Sequence, residues 1–274
     1  MRALQPHHIV DLYVWVATLC PDDPKPKGGR PLCILDSELL TLMVWNSLTN
    51  TCSHTLKQLY DWICMYHARD VHQLPKYNAF VAQCHRILPK LIAVVSLTME
   101  SNTPLRFADS TMLPVCRNHR AKRHKVATGI AAWGKNHQGS FFGFKLHAAI
   151  DHLDRLVAIV FTPADRYDGQ LLEQLVNEVT RVAVGDSHYG ASTTRKKVWR
   201  EYQTIVVAPP HYKQMKQVMA QWQHFLLSLR AKIECTFDTL KQHLGLISSF
   251  PRSIDGYFLH YLRIILGYQM RVGF

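Results

Sequence analysis

The order of the predicted elements after Pro104 constrains the fold more than any other feature of this sequence. Apolar runs with strand-like alternation or helix-like spacing follow one another as strand, strand, strand, helix, strand, helix, strand, helix. This order predicts an α/β fold with a mixed sheet flanked by helices. The predicted strands are 105–113, 141–150, 156–161, 181–185 and 204–209, and the predicted helices are 170–180, 193–202, 229–241 and a last amphipathic helix, 255–271.

The first hundred residues have a different pattern, in which apolar residues recur at helical spacing between turn-forming segments. Short helices with basic side chains are typical of helix-turn-helix-like DNA-binding units, but small bundles that only pack or dimerise have the same pattern. We predict an all-α domain at 1–103, for DNA binding or oligomerisation, and a mixed α/β domain at 104–274. The basic residues of the first domain include Lys57, Arg69, Lys76, His85, Arg86 and Lys90.

The charge of the chain indicates the class of partner. Lys and Arg number 32 against 20 Asp and Glu, which gives a net charge of +12 in a chain of otherwise ordinary globular composition. Double-stranded DNA or another nucleic acid is the partner with dense negative charge. An anionic membrane surface is the alternative, but no run of eighteen apolar residues and no basic amphipathic helix supports it. The 16 His are scattered without metal-ligand spacing, which disfavours a zinc protein.

The seven cysteines do not form a pattern of disulfide or zinc ligands. They are odd in number and include no C-x-x-C motif. The start of the sequence contains Pro6, His7 and His8 instead of a basic segment followed by an apolar run. Reduced thiols and this start predict a cytoplasmic protein.

Three acidic residues stand out by their positions. Asp109 lies within an apolar strand, where an unpaired charge is expensive, and Asp186 lies at the carboxyl end of a later strand, where α/β folds place ligands. Capping of a following helix is the alternative role for Asp186. Glu234 lies on a predicted helix with Arg230 about 40° and Lys241 about 20° away around the axis. An ordinary ladder of ion pairs has the same spacing.

Three converging carboxylates repel one another unless cations are present. Mg²⁺ or Mn²⁺ prefers such oxygen ligands and leaves positions for water and phosphate. Asp109, Asp186 and Glu234 are therefore candidate metal ligands and catalytic residues for two ions in an in-line phosphoryl displacement. Arg230 and Lys241 would hold substrate phosphates beside Glu234.

A basic segment follows the strand that carries Asp109. Its cations stand among amide and aromatic groups, which suits contact with phosphates, although a solvated charge run is the usual alternative. Lys145 and His147 share one face of the next strand by alternation, so both are expected on the catalytic side. The cations of the segment are Arg117, Arg120, Lys122, Arg123 and Lys125.

The acidic residues lie in motifs that resemble the catalytic boxes of bacterial insertion-sequence transposases of the DDE class. The boxes are Phe-Ala-Asp109-Ser, Val-Gly-Asp186-Ser-His-Tyr-Gly and Arg230-x3-Glu234-x6-Lys241, with acidic residues 77 and 48 positions apart. Within that class, Pro114-Val-Cys116-x-Asn118-x-Arg120-x-x-Arg123 and Phe142-Gly-Phe-Lys145-Leu-His147 resemble insertion-sequence family nine-eighty-two. The resemblance covers the chain from about residue 107 onward.

The resemblance implies a ribonuclease-H-like catalytic core at 104–274 and a magnesium-dependent endonuclease of a transposable element. Such an enzyme cuts DNA at the terminal inverted repeats and joins the 3′ ends to target DNA, as a homodimer or larger assembly in the bacterial nucleoid. His188 and Tyr189, next to Asp186, join the expected DNA or phosphate contacts. Related enzymes often have Tyr at the position of Leu227, so a contact from that Tyr is not expected here.

Two other functions fit the same residues. One is a transposase-derived DNA-binding regulator without catalysis, which the presence of all three carboxylates argues against. The other is a metal-dependent hydrolytic nuclease of the same fold, which would cut DNA without joining it.

Overall fold

The computed structural model describes residues 8–22, 32–49, 54–136, 139–210, 219–247 and 250–273. The chain forms two compact units: one contains Met1–Thr98 together with Leu240–Phe274, and the other contains Met99–Thr239. The division near residue 100 lies close to the predicted boundary. The last 35 residues were predicted to belong to the mixed α/β domain, but they group with the first helices instead.

The amino-terminal part of the first unit is helical in its described residues, as its apolar spacing predicts. No single helix in the described part of the chain is long and apolar enough to cross a membrane. The helices Tyr77–Arg86 and Leu88–Thr98, which are bent by 50° relative to each other, together reach that length and apolar composition. The helices are α1 (Ile9–Leu19), α2 (Asp36–Leu48), α3 (Leu56–Tyr66), α4 (Tyr77–Arg86) and α5 (Leu88–Thr98).

The second unit is built on a mixed sheet. In the described strands β3 pairs antiparallel with β1, β2 and β4, whereas β5 pairs parallel with both β1 and β6. The strand β1 therefore lies centrally, between an antiparallel and a parallel flank. The strands are β1 (Leu105–Pro114), β2 (Ala132–Asn136), β3 (Gly139–Ile150), β4 (Leu156–Pro163), β5 (Val182–Val184) and β6 (Ile205–Val207).

The later helices are α6 (Leu172–Leu175), α7 (Ser192–Tyr202), α8 (Gln221–Ser228), α9 (Ala231–Asp238) and α10 (Ile254–Val272). Two of the predicted helices were wrong in extent. The helix predicted at 170–180 is short, because Asn177 and Thr180 exchange side-chain and main-chain hydrogen bonds that replace a further helical turn. The helix predicted at 229–241 begins at Ala231 and becomes π-helical at Thr239–His243. The strand β2 was not predicted.

The helix α10 packs with α2 and α5, which explains why the end of the chain groups with its beginning. Gln269 donates a hydrogen bond to the carbonyl of Thr98 at 2.9 Å, and Arg271 donates to the carbonyl of Ser47 at 3.1 Å. Gly267 allows the close approach, since a Cβ at this position would lie 2.4 Å from the Cβ of Ser47.

A buried carboxylate links α2 to α4 and α5. Asp36 forms ion pairs with Arg86 and, at 2.7 Å, with Lys90. Burial opposes the charge of Asp36, but the hydrogen bonds from both cations hold its pKa below the ordinary value. Arg86 and Lys90 are two of the basic residues of the predicted helical domain, for which DNA binding and packing were both left open. The structure engages both cations inside the unit.

One face of the sheet in the second unit packs against α6 and α7. Ala108 belongs to this apolar core, so its neighbour Asp109 points to the other face, where α9 packs on β1. The buried core residues are Ala108, Ala149, Val157, Leu172, Leu175, Val176, Ala183, Tyr189, Val198 and Val206.

Candidate functional site

The centre of the candidate site is Asp109, in the middle of β1. The parallel partner β5 pairs only with residues Leu105 to Phe107 of this strand, so β1 continues past the end of β5 before it reaches Asp109. The Asp109 side chain is 18% exposed, and its Oδ1 accepts a hydrogen bond from the main-chain N–H of Ser110 at 2.7 Å. The carboxylate is therefore both largely buried and fixed in orientation.

Arg230 joins Asp109 to Glu234. Its Nη1 lies 3.3 Å from Asp109 Oδ2, and its Nη2 donates to Glu234 Oε1 at 2.5 Å. The contact with Glu234 is the i,i+4 pair that the helical spacing predicts, and it forms because α9 begins directly after Arg230. The buried Ile233 and Phe237 hold the helix on its apolar side. The guanidinium thus serves as the cation between two carboxylates that are distant in sequence.

Asp186 begins the turn that follows β5. Its Oδ1 accepts a hydrogen bond from the N–H of His188 at 2.9 Å, and so it caps the 3-10 helix Ser187–Gly190. Asp186 therefore does cap a helix, which was the alternative role predicted for it. Its charge also acts on Asp109, so capping does not separate it from the other carboxylates.

Electrostatics at Asp109 favour a bound cation. Burial raises the pKa of Asp109 to about 6, and the charges of Asp186 and Glu234 act in the same direction. The Ser110 N–H and the Arg230 charge oppose this rise by stabilising the ionised form. A bound cation would lower this pKa and so stabilise the ionised carboxylate further.

The donor set fits a hard divalent cation, although the side chains are not gathered around one point. Among the described residues, no three carboxylate, histidine or cysteine side chains lie close enough together to hold a metal ion. Arg230 lies between Asp109 and Glu234 and balances their charge. Carboxylate oxygens are the ligands that Mg²⁺ and Mn²⁺ prefer, so the chemistry of these side chains suits such an ion.

A fourth carboxylate, Asp168, lies behind the site, and it was not among the predicted site residues. Its Oδ1 accepts from Lys145 Nζ and its Oδ2 from Ser110 Oγ, both at 2.8 Å. Lys145 also donates to the carbonyl of Arg166 at 3.0 Å. Asp168 is the first residue of the 3-10 helix Asp168–Leu171 that follows β4, a position where Asp is ordinary, so only its tertiary partners distinguish it.

His147 and Tyr189 were expected to contact phosphates, and their burial is a correction. Neither side chain is exposed to solvent. His147 Nε2 lies 2.9 Å from Thr162 Oγ1, and burial lowers the pKa of this histidine to about 4. Burial, with the nearby charges of Asp168, Asp109 and Asp186, raises the pKa of Tyr189 well above its ordinary value. Both residues support the site from within the protein. Lys145, which pairs with Asp168, lies on the same face of β3 as His147, opposite to the face from which Asp109 projects, so the predicted place of both residues on the catalytic side is wrong.

The cations of the segment after β1 lie on the surface, as expected. Arg117, Arg120, Lys122, Arg123 and Lys125 are all exposed, on or beside the 3-10 helix Asn118–Arg123.

Aromatic side chains stand close to this segment. The half-exposed Trp133 of β2 packs against Phe142, with the two ring centroids 5.7 Å apart, and His124 contacts the same Phe142 ring. Asn118 donates to the carbonyl of Ser140 at 2.6 Å and so ties the 3-10 helix to β3. Exposed cations beside an exposed aromatic ring suit a nucleic-acid surface.

The two remaining predicted contacts lie in different settings. His188 is exposed, with Nδ1 3.5 Å from Asp186 Oδ2. Lys241 lies in the π-helical segment, so the angle of about 20° to Glu234 that a continuous α-helix predicts does not apply. Its contact with phosphate stays a prediction.

The comparisons with known proteins agree with the motifs and the fold. A family model described as "Transposase DDE domain" matches residues 99–254, more than half of the chain. No curated protein matches the sequence. The mixed sheet that follows a helical region confirms the predicted α/β fold with a ribonuclease-H-like core. The closer resemblance to insertion-sequence family nine-eighty-two stays a prediction. By this match the chain belongs to the transposase DDE domain family, and transposition of DNA is its type of function.

Proposed function

We propose that this transposase cleaves DNA at the ends of its insertion sequence and transfers the 3′ ends to target DNA. The contact of Arg230 with both Asp109 and Glu234 is the observation that carries the proposal. It brings together two of the three acidic residues of the motifs, 125 positions apart in the sequence. Asp186 acts on the same carboxylate of Asp109.

Asp109, Asp186 and Glu234 would hold divalent cations, Mg²⁺ or Mn²⁺. Two such ions would supply the charge that activates an attacking oxygen and stabilises the leaving oxygen of a phosphodiester. The Ser110 N–H fixes the Asp109 carboxylate for this task, and the His188 N–H fixes that of Asp186.

Arg230 would have two roles in this reaction. In the absence of other cations it balances Asp109 and Glu234, which would otherwise repel each other. A guanidinium is equally suited to hold a phosphate of DNA through two parallel hydrogen bonds. We therefore expect Arg230 to exchange its carboxylate partners for a phosphate when the site is loaded.

The exposed cations at 117–125, with Trp133, would hold the DNA duplex beside the site. Contacts of this kind position a duplex without reading its sequence. The helical unit, with its own exposed cations, would add contacts to the inverted repeats or hold two copies together on paired ends. Assembly as a dimer or larger complex belongs to the same proposal.

The test is an in vitro reaction with the DNA that flanks the gene, including any short inverted repeats, a second duplex as target, and Mg²⁺ or Mn²⁺. We expect metal-dependent nicks at the repeat ends and products joined to the second duplex. Nicks without joined products would indicate a hydrolytic nuclease. Binding without nicks would indicate a regulator, and either outcome would contradict the proposal.

A further inference from the structure

The 167–169 turn, which leads into the 3-10 helix Asp168–Leu171, lies directly behind the candidate site. It follows β4 and contains Tyr167, Asp168 and Gly169, none of which belongs to the acidic motifs. The turn makes two separate sets of contacts. One reaches the strand that carries Asp109, and the other reaches the segment that follows Asp186.

The first set of contacts starts from Asp168. Its Oδ2 accepts from Ser110 Oγ at 2.8 Å, and the main-chain N–H of the same Ser110 donates to Asp109 Oδ1 at 2.7 Å. Because Asp109 and Ser110 are consecutive in a strand, their side chains leave β1 on opposite faces. Asp168 therefore fixes from behind the residue whose N–H orients the Asp109 carboxylate.

Asp168 is itself held by a cation on the neighbouring strand. Lys145 Nζ contacts Asp168 Oδ1 at 2.8 Å, and both side chains are less than one-fifth exposed. The Nδ1 of the buried His147 lies 3.9 Å from the same oxygen. Asp168 therefore lies on the face of β1 opposite to Asp109, which makes it a support and not a ligand of the same metal ion.

The second set of contacts starts from Tyr167. Its hydroxyl donates to the carbonyl of His188 at 2.9 Å, and the N–H of the same His188 donates to Asp186 Oδ1 at 2.9 Å. Gly169 packs beside this segment, since a Cβ at Gly169 would lie 2.4 Å from the carbonyl oxygen of His188. The turn therefore contacts two residues whose N–H groups orient the aspartates: Ser110, next to Asp109, through its side chain, and His188, two residues after Asp186, through its carbonyl.

We propose that the 167–169 turn positions the two aspartates relative to each other, with Asp168 acting through Ser110 on Asp109 and Tyr167 acting through His188 on Asp186. This inference rests on the proposed function for its catalytic meaning. The geometry of the contacts can be tested without that function. Tyr167 and Asp168 are positioning residues, and neither is assigned a contact with substrate.

The variants Asp168→Asn and Tyr167→Phe separate the two sets of contacts. The first removes the charge at nearly constant shape, and the second removes only the hydroxyl of a side chain that is 46% exposed. Asp165→Asn is the matched control, because Asp165 is an exposed carboxylate in the same loop. The first measurement is amide hydrogen exchange, resolved to individual residues.

Asp168→Asn should speed exchange at the Ser110 amide, and Tyr167→Phe should speed it at the His188 amide. Each effect should be roughly tenfold, because the lost side-chain contact loosens the segment whose amide is observed, although the amide's own hydrogen bond is not removed. Exchange elsewhere in the sheet should not change, nor should any amide in Asp165→Asn. Unchanged exchange at these two amides, or a uniform rise throughout the sheet, would overturn the positioning role.

The second measurement is the affinity for Mn²⁺ by calorimetry, on the same proteins without DNA. Loss of a residue that orients a metal ligand typically weakens binding by roughly 10- to 100-fold, and we expect this range for Asp168→Asn. Faster local exchange with unchanged Mn²⁺ affinity would refute the link to the site. If the wild-type protein bound no Mn²⁺, the proposed function would fail, and the inference would be decided by the exchange measurement alone.

Discussion

The chemistry of the site depends on which neighbours fix each carboxylate. Asp109 is oriented by the N–H of Ser110 and by Arg230, and Asp186 by the N–H of His188, whereas Arg230 is the one partner of Glu234 among the described residues. Glu234 is also the most exposed of the three, at 54%. Because Glu234 is the most exposed, its charge is the one most available to an ion from solvent, and we expect its replacement to disturb the fold least.

Glu234→Gln should abolish metal-dependent cleavage and leave the affinity for duplex DNA unchanged, because it removes one carboxylate charge at nearly constant shape. Cleavage and binding would be measured on the same labelled duplex. Asp238→Asn is the control, since Asp238 is exposed one turn further along the same helix. Cleavage by Glu234→Gln at the wild-type rate would show that Glu234 is not a metal ligand.

Periodicity predicted several of these residue positions correctly, and tertiary packing determined the others. The i,i+4 contact of Arg230 with Glu234 follows from helical spacing alone. Alternation placed Lys145 and His147 on one face of β3, but it cannot show that α6 and other elements cover this face. Asp168 could not be selected from the sequence, because its partners Ser110 and Lys145 are 58 and 23 positions away.

At the scale of elements, the exposed segment around the 3-10 helix Asn118–Arg123 is the strongest candidate for duplex contact. Its cations project from a short helix that Asn118 ties to β3, while Trp133 stands exposed on β2. The cations of the basic segment lie on the surface, as predicted, but the strand β2 that follows them was not predicted. A short edge strand with Gly and Lys has too little apolar alternation to be distinguished from a loop.

Lys122→Ala and Arg123→Ala should each weaken duplex binding and reduce the slope of log affinity against log salt concentration by about 1, because each lost phosphate contact releases one fewer counterion. Binding would be titrated at several salt concentrations. Arg181→Ala is the matched control, because Arg181 is an exposed cation at the amino end of β5, opposite the end that leads to Asp186. An unchanged slope in both variants would contradict phosphate contact from this segment.

The packing of α10 on α2 gives a second prediction at this scale. Gly267→Ala should lower the free energy of unfolding by about 1–3 kcal/mol, because the new Cβ would lie 2.4 Å from the Cβ of Ser47. The gain in helix propensity from Gly to Ala, roughly 0.5–1 kcal/mol, is smaller. Urea unfolding measures the change.

Ser47→Gly serves as the companion variant, since it removes the side chain that the new methyl group would meet. In that background Gly267→Ala should cost much less than in the wild type. An equal cost in both backgrounds would show that the loss has another cause.

At the scale of the whole molecule, the chain divides differently from its sequence pattern. The amphipathic helix at the end of the chain was predicted almost to its observed bounds, yet its partners were not. Its contacts to Thr98 and Ser47 are made across 171 and 224 positions of sequence. Spacing identifies an apolar face, but it cannot identify the element that covers this face.

The stability of the helical unit should depend on pH through a buried histidine. Burial lowers the pKa of His260 to about 3, the charges of Arg263 and His54 act in the same direction, and hydrogen bonds to the carbonyls of Gly245 and Leu246 oppose them. The unfolded chain, with a pKa near 6.5, then binds a proton that the folded chain does not.

Acidification should therefore remove stability as the pH falls from about 6.5 toward 3, by about 1.4 kcal/mol per pH unit for this one group. His260→Gln should show a shallower loss than the wild type in urea unfolding over this range. His72→Gln, at an exposed position of the same unit, should match the wild type. Parallel pH profiles for His260→Gln and the wild type would contradict the effect.

The proposed chemistry requires Asp109, Asp186 and Glu234 to hold a divalent cation together. Binding of Mn²⁺ measured by electron paramagnetic resonance tests it most directly, on the wild type, Asp109→Asn, Glu234→Gln and the control Asp238→Asn. We predict binding by the wild type and the control, and its loss in each of the other two variants. Wild-type binding retained in both Asp109→Asn and Glu234→Gln would contradict the claim.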